Sequence, residues 1–249
     1  MNRQLRTALL PGWTSEFPAE EPGGVVAVMI DILRASTTIV TALSQGATGV
    51  VPFLEVSEAR QWKANHPEGL LGGERGGLKI DGFDLGNSPT DYGPETVQGR
   101  EIGFTTTNGT RALMAVESAE TVLIGAFVNA RAVLERLRGA SRVLLVCAGT
   151  NGQVTREDVL FAGCLADGLI GQADWEADDS SQIAAASWRE VAGTEMPRPA
   201  ALEAALAATQ GGRNLRRLGL ADDLACVARL DAWEAVPTWD RETRRICIP

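Results

Sequence analysis

Three segments of this chain set polar residues between an apolar run and a stretch of helical character. In VMIDILRAST (28–37) they are Asp31 and Arg34, in FTTTNGTRAL (104–113) they are Thr105–Thr110, and in CAGTNGQVTREDVL (147–160) they are Gly149–Asp158. The last two share the tripeptide TNG at the same place. In open parallel sheets ligands bind beyond the carboxyl ends of the strands. A helix that starts there offers free N–H groups and the positive end of its dipole to an anion. Gly109 and Gly152 allow close backbone approach. Such a pattern suits a small, anionic, phosphorylated molecule. Each piece also has a plainer reading. Asp31 can cap the next helix, Asn-Gly can be an ordinary turn, and Thr155 with Asp158 resembles a capping box. Arg75, Lys79 and Glu157 can be solvated charges. Joint placement at strand ends is what favours a site.

The elements that must position these residues follow from periodicity. Val25–Ile30, Thr48–Phe53, Ile102–Thr105, Val122–Ala126 and Val143–Cys147 read as strands, the first a continuous apolar run suited to burial on both faces. Helices are expected over Ala35–Gln45, Ser57–Asn65, from about Thr110, from Asn129 to Gly139, and over Thr155–Leu169. Alternating strands and helices predict an α/β fold: a mostly parallel β-sheet with helices on both faces, a three-layer α/β/α arrangement. Residues 72–93, rich in Gly, read as a long functional loop. Beyond Gly171 the chain turns through the acidic DWEADD and becomes Ala-rich and helical around 180–192 and 199–209, with Gly211 and Gly212 between helices and an edge strand over 241–248. The whole of 1–249 is read as a single domain, with 171–249 a helical segment packing back on the same sheet.

Composition removes several classes of function. The 249 residues carry a net formal charge of −9. Without a basic run, nucleic acid and anionic membranes are poor partners. A single histidine, His66 in the polar stretch KANHPEG, excludes multi-imidazole metal sites and HExxH zinc enzymes. A metal here would take mostly oxygen ligands, which points to Mg²⁺ or Mn²⁺. The four cysteines, Cys147, Cys164, Cys226 and Cys247, form no CxxC pair and suit a reducing compartment. The start MNRQLRTALLPGW lacks a signal-peptide run, and VVAVMI and VLLVCAG are too short to span a bilayer, so a cytoplasmic location is expected.

Familiar phosphate motifs fail on spacing. GxxxxGK[ST] and GxGxxG are absent. A Cys-x5-Arg loop would need Arg at Gln153, and an Asp-x-Asp phosphatase would need Asp at Leu33. Another set of strings is present in order: DILRASTTIVTAL (31–43), GGERGGLKIDGFDLGNSP (72–89), TTTNGTRAL (105–113), CAGTNGQVTREDVLFAG (147–163) and GRNLRRLGLADDLACVARLD (212–231), then VP at 236–237. In these the chain resembles the 2-phosphosulfolactate phosphatase family over about residues 25–240, nearly its whole length.

That resemblance implies a Mg²⁺-dependent phosphoric monoester hydrolase that converts 2-phospho-3-sulfolactate to 3-sulfolactate and phosphate, with an α/β fold and a homodimeric state. In methanogens the step belongs to coenzyme M biosynthesis. Transferred to these residues, Asp31 with Glu157 or Asp158 would bind Mg²⁺, and Arg34 and Arg75 would clamp phosphate or carboxylate. Thr106, Thr107, Asn108, Gly109 and Thr110 would cradle phosphate, with Asn151 from the second TNG beside them. Lys79 or Asn87 would reach the sulfonate, and Glu74 would act as general acid or base. Direct attack by water and a phospho-Asp31 intermediate both stay open. So do two other readings: a phosphatase for another 2-hydroxycarboxylic acid phosphate, and a non-catalytic phosphometabolite-binding protein.

Overall fold

A computed structural model describes residues 3–16, 24–172, 174–193 and 197–249. In chain order the strands are β1 (Arg3–Ala8), β2 (Val26–Ile30), β3 (Gly49–Pro52), β4 (Leu70–Arg75), β5 (Leu78–Lys79), β6 (Glu101–Thr105), β7 (Thr121–Ile124), β8 (Arg142–Cys147), β9 (Trp175–Ala177), β10 (Thr238–Asp240) and β11 (Arg245–Cys247). Between them lie α1 (Ala35–Ser44), α2 (Val56–Asn65), α3 (Pro94–Val97), α4 (Gly109–Met114), α5 (Ala130–Leu137), α6 (Arg156–Ile170), α7 (Asp179–Ala192), α8 (Pro199–Ala207), α9 (Gln210–Arg217) and α10 (Asp222–Val227). The described residues form one sheet of eleven strands, in the order β5-β4-β6-β3-β11-β10-β7-β2-β8-β1-β9. It is an α/β fold with a mostly parallel sheet, as the alternation predicts, and α1, α2, α4, α6 and α7 pack against the strands. No helix among the described residues is long and apolar enough to cross a membrane.

The apolar runs behave as expected. In β8 every residue of RVLLVC is buried, and in β2 the four residues Ala27–Ile30 are buried, so both strands are covered on both faces. They pair in parallel, with Val28 beside Leu145.

Four expectations change. The first is the Gly-rich segment, whose beginning is β4, paired in parallel with β6. Glycine is what lets it lie there: Gly73 has φ +141°, and a Cβ on it would stand 2.0 Å from the carbonyl oxygen of Thr105. The second is the strand expected at an edge over 241–248. It is β11, and with β10 it forms an antiparallel hairpin in the middle of the sheet, Trp239 opposite Ile246. β11 pairs antiparallel with β3 and β10 antiparallel with β7. The hairpin thus joins two parallel blocks, β4-β6-β3 and β7-β2-β8-β1-β9, that run in opposite senses. Each block has an open inner edge whose N–H and C=O groups need partners, and the hairpin supplies them. The third is the pair of strands that sequence patterning misses. Polar RQLRTA is β1, between β8 and β9, and part of the DWEADD turn is β9. The fourth is Gly211 and Gly212, which lie in the first turn of α9 rather than between helices.

α7 packs along α6 and against β1, while α9 and α10 each pack on α8. Their buried Leu202, Leu206, Leu215 and Leu224 join the same hydrophobic core as the strands. α6 and α7 touch at Gly163, where a Cβ would lie 2.0 Å from the Ala184 carbonyl oxygen. Gly163→Ala therefore pushes backbone against backbone. A loss of about 1–3 kcal/mol is expected, read as a drop in Tm of several degrees. An unchanged Tm would show that α7 shifts freely.

Candidate active site

The carboxyl ends of both blocks converge, although the blocks run in opposite senses. Asp31 follows β2, Glu74 lies at the end of β4, Thr107 follows β6, and Asp158 in the first turn of α6 bonds the loop after β8. Chain crossings fasten them. Thr107 N–H donates to Glu74 Oε1 at 2.8 Å, and Gly77 N–H donates to Glu74 Oε2 at 2.8 Å. Asn151 N–H donates to Asn108 Oδ1 at 3.2 Å, joining the two TNG turns. Gly109 comes so close to Asp31 that a Cβ there would stand 2.8 Å from Asp31 Oδ2. A cleft of about 290 Å³ opens between these ends and α9, close to the lower size of small-molecule sites.

Asp31 is buried, and the N–H of Ala35 at the start of α1 eases its charge, although α1 has no side-chain cap hydrogen bond. Burial first, then the charges of Glu74 and Glu157, nevertheless push its pKa from 3.8 up to about 7. Glu157 is raised too, chiefly by burial, and is eased by Thr209, the N–H of Gly211 and the charge of Arg213. Its Oε2 is buried with no partner. Asp158 is raised well above its usual value by burial, Asp31 and Glu157. Its oxygens are heavily used, accepting from Ile32 N–H at 2.8 Å, Gly149 N–H at 3.0 Å and Thr155 Oγ1 at 2.9 Å. Asp158 therefore pins the strand ends of β2 and β8 together and ties the Thr155 hydroxyl at the start of α6 to them, although α6 has no side-chain cap hydrogen bond.

Arg34 is 3% exposed. Its Nη1 lies 2.7 Å from Asp223 Oδ2, and its Nη2 donates to the Gly77 carbonyl at 2.6 Å. Asp223 also accepts from Ser88 Oγ. The planar guanidinium is thereby held in one orientation at the cleft wall.

Of the residues singled out in the sequence, Asp31, Arg34, Glu74, Asn87, Thr107, Asn108 and Asn151 line the cleft. Asn87 Oδ1 and Thr107 Oγ1 are buried without partners. Thr106 and Thr110 bond each other, each hydroxyl accepting from the other's N–H at 3.4 and 3.3 Å, and so shape the turn. Glu157 and Asp158 sit just behind the lining. Thr106, Gly109 and Thr110 are not part of the lining either, and two further expected substrate contacts, Arg75 and Lys79, also fall outside it. Arg75 donates to the carbonyls of Glu74 and Leu54 and to Thr105 Oγ1. Lys79 is exposed on β5. Patterning missed Gly211, Asn214, Arg217 and Leu218 of the α9 region, which form one wall, and Asp223. The basic string GRNLRR was visible, but nothing local in it says that it reaches the strand ends.

The donor set can be tested against a hard cation. Among the described residues no group of three or more His, Cys, Asp or Glu side chains is arranged as a ready-made metal cage. Mg²⁺ needs only one or two carboxylates, with water and phosphate oxygens completing its shell. Asp31 and the unpartnered oxygen of Glu157 meet that need, and their mutual repulsion is what a divalent cation would relieve.

Comparison with known proteins places the chain in a family. A family model described as 2-phosphosulpholactate phosphatase matches residues 14–242. A Synechococcus protein (strain WH7803) named "Probable 2-phosphosulfolactate phosphatase" is 43% identical over 221 residues, 87% of each chain. Proteins with the same name from Symbiobacterium thermophilum and Deinococcus radiodurans are 42% and 40% identical, over 89% and 94% of this chain and 94% and 92% of their own.

Proposed function

The chain belongs to the 2-phosphosulfolactate phosphatase family, and from that membership we propose that it hydrolyses 2-phospho-3-sulfolactate to 3-sulfolactate and phosphate with Mg²⁺ as cofactor. The observation that carries the reading is the cleft itself. Buried Asp31 and Glu74 meet the fixed guanidinium of Arg34 at converging strand ends, on the segments that the comparisons cover.

A phosphate monoester hydrolyses extremely slowly unaided, and enzymes lower that barrier mainly by positioning and by positive charge at the phosphoryl oxygens. Asp31 and Glu157 would hold Mg²⁺, which when bound supplies part of that charge. Arg34 supplies another part. With Nη1 and Nη2 each committed once, its remaining N–H groups can meet a phosphoryl oxygen without reorienting. Glu74, held by the N–H groups of Gly77 and Thr107, keeps the walls of the cleft in register and is placed to take or give a proton. Thr107 Oγ1 and Asn87 Oδ1, the unpartnered polar atoms of the lining, can bond substrate directly. Asp158 keeps Asp31 in place through Ile32 rather than serving as a ligand.

The test is phosphate release from 2-phosphosulfolactate. Activity is expected with Mg²⁺, lost with EDTA and restored by excess Mg²⁺. Full activity in EDTA would remove the metal from the reading. Turnover of 2-phospholactate but not of the sulfonated ester would shift the substrate to another 2-hydroxy-acid phosphate. Four free thiols suit a reducing cytoplasm, and sedimentation would test a homodimer.

A further inference from the structure

We propose that α9 reads the acidic group of the substrate that lies farthest from the phosphorus, with Arg217 and Asn214 as specificity-determining residues. This deepens the phosphatase reading and rests on it. Four side chains lining the cleft carry charge: Asp31, Glu74, Arg34 and Arg217. The first two, with Glu157 behind them, make the cleft floor negative, and Arg34, held by Asp223 and the Gly77 carbonyl, keeps its remaining N–H groups for the phosphoryl position. Arg217 makes no ion pair among the described residues. Its Nη2 donates to Asn214 Oδ1 at 2.8 Å, and the rest of its fork is exposed at the cleft.

The two residues stand three apart on one helix face. Gly211, three residues before Asn214, and Leu218, just after the helix, line the same wall. Glu157 accepts from the N–H of Gly211, and a Cβ on Gly211 would lie 2.0 Å from Glu157 Oε1, so α9 is seated directly against the acidic floor. Asn214 Oδ1 is turned to Arg217, so the groups the pair has left for the cleft are chiefly N–H donors. A wall of donors with a guanidinium fork matches a second anionic group, a sulfonate on a three-carbon phosphoester, and offers little to a methyl group. Lys79, expected from the sequence to reach this group, lies outside the cleft.

The test compares wild type, Arg217→Met and Arg217→Lys on 2-phosphosulfolactate and on 2-phospholactate, which has a methyl group in place of the sulfomethyl group. In Arg217→Met the KM for the sulfonated ester should rise about 10- to 100-fold, the range for a lost hydrogen bond to a charged group. Its kcat, and both constants for 2-phospholactate, should stay within about threefold, the mark of a contact uniform between ground and transition state. Arg217→Lys should recover part of the KM. Equal losses on both esters would place Arg217 at a group that the two esters share, and unchanged kinetics on both would remove it from the site. Either result overturns the proposal. Wild-type protein inert on both esters would overturn the phosphatase reading itself, before any substitution is compared.

Discussion

Asp31→Asn is expected to lower kcat/KM for phosphate release by roughly a thousandfold or more while leaving the protein folded. The substitution keeps the shape of the side chain and its acceptor for the Ala35 N–H, but removes the charge. A metal-bound charge clamp is worth several kcal/mol in the transition state, which converts to that loss of rate. Stability moves the other way. Asp31 is buried, and that burial, with the charges of Glu74 and Glu157 beside it, raises its pKa to about 7. Removing one charge from this cluster relieves repulsion. The Tm of the metal-free variant should equal or exceed that of wild type. A variant that still turns over within about tenfold of wild type would move the metal site away from Asp31, to Glu157 and Asp158. A variant that melts early would make Asp31 a structural cap above all.

Asp223→Ala should be the most damaging single change to stability near the cleft. Asp223 and Arg34 form an ion pair of 2.7 Å, with side chains 2% and 3% exposed. Removing one member of such a pair leaves the other charge buried and uncompensated, at a cost of about 3–5 kcal/mol. For a chain of this size that corresponds to a fall in Tm of roughly 6–20 °C. Activity should fall as well, since Arg34 loses its orienting partner and Ser88 its acceptor. The double variant Arg34→Met with Asp223→Leu separates the two effects. Apolar replacement of both partners should restore much of the Tm and none of the activity. A double variant as unstable as Asp223→Ala would show that Ser88 and the Gly77 carbonyl, rather than the ion pair, set the cost.

Some of this was legible along the chain. VAVMI and RVLLVC are buried strands because an apolar run without alternation has no face to give to water. The helices after them begin at Ala35 and Arg156, within one residue of expectation. A strand end that feeds a helix fixes the local position of Asp31, Arg34 and Thr107, so these residues could be named without knowing what lies across from them. The family strings added that the segments share one chemistry.

Long-range pairing was not legible. β10 and β11 are three residues each and sit mid-sheet, because the inner edges of two opposed blocks need backbone partners. That demand exists only once the blocks have formed. Gly73 makes a strand of an apparent loop for a similar reason, since its benefit is close approach to Thr105 in another strand. Arg75 and Lys79 carry the right charge, and tertiary structure alone sends Arg75 to Thr105 and leaves Lys79 in solvent. The sequence by itself determined the elements and the polar residues at their ends, since periodicity and capping act over a few residues. Tertiary structure alone decided that the opposed blocks meet, that Asp223 holds Arg34 from 189 residues away, and that α9 closes one side of the cleft. Those contacts depend on burial and charge between segments whose spacing in the chain carries no signal.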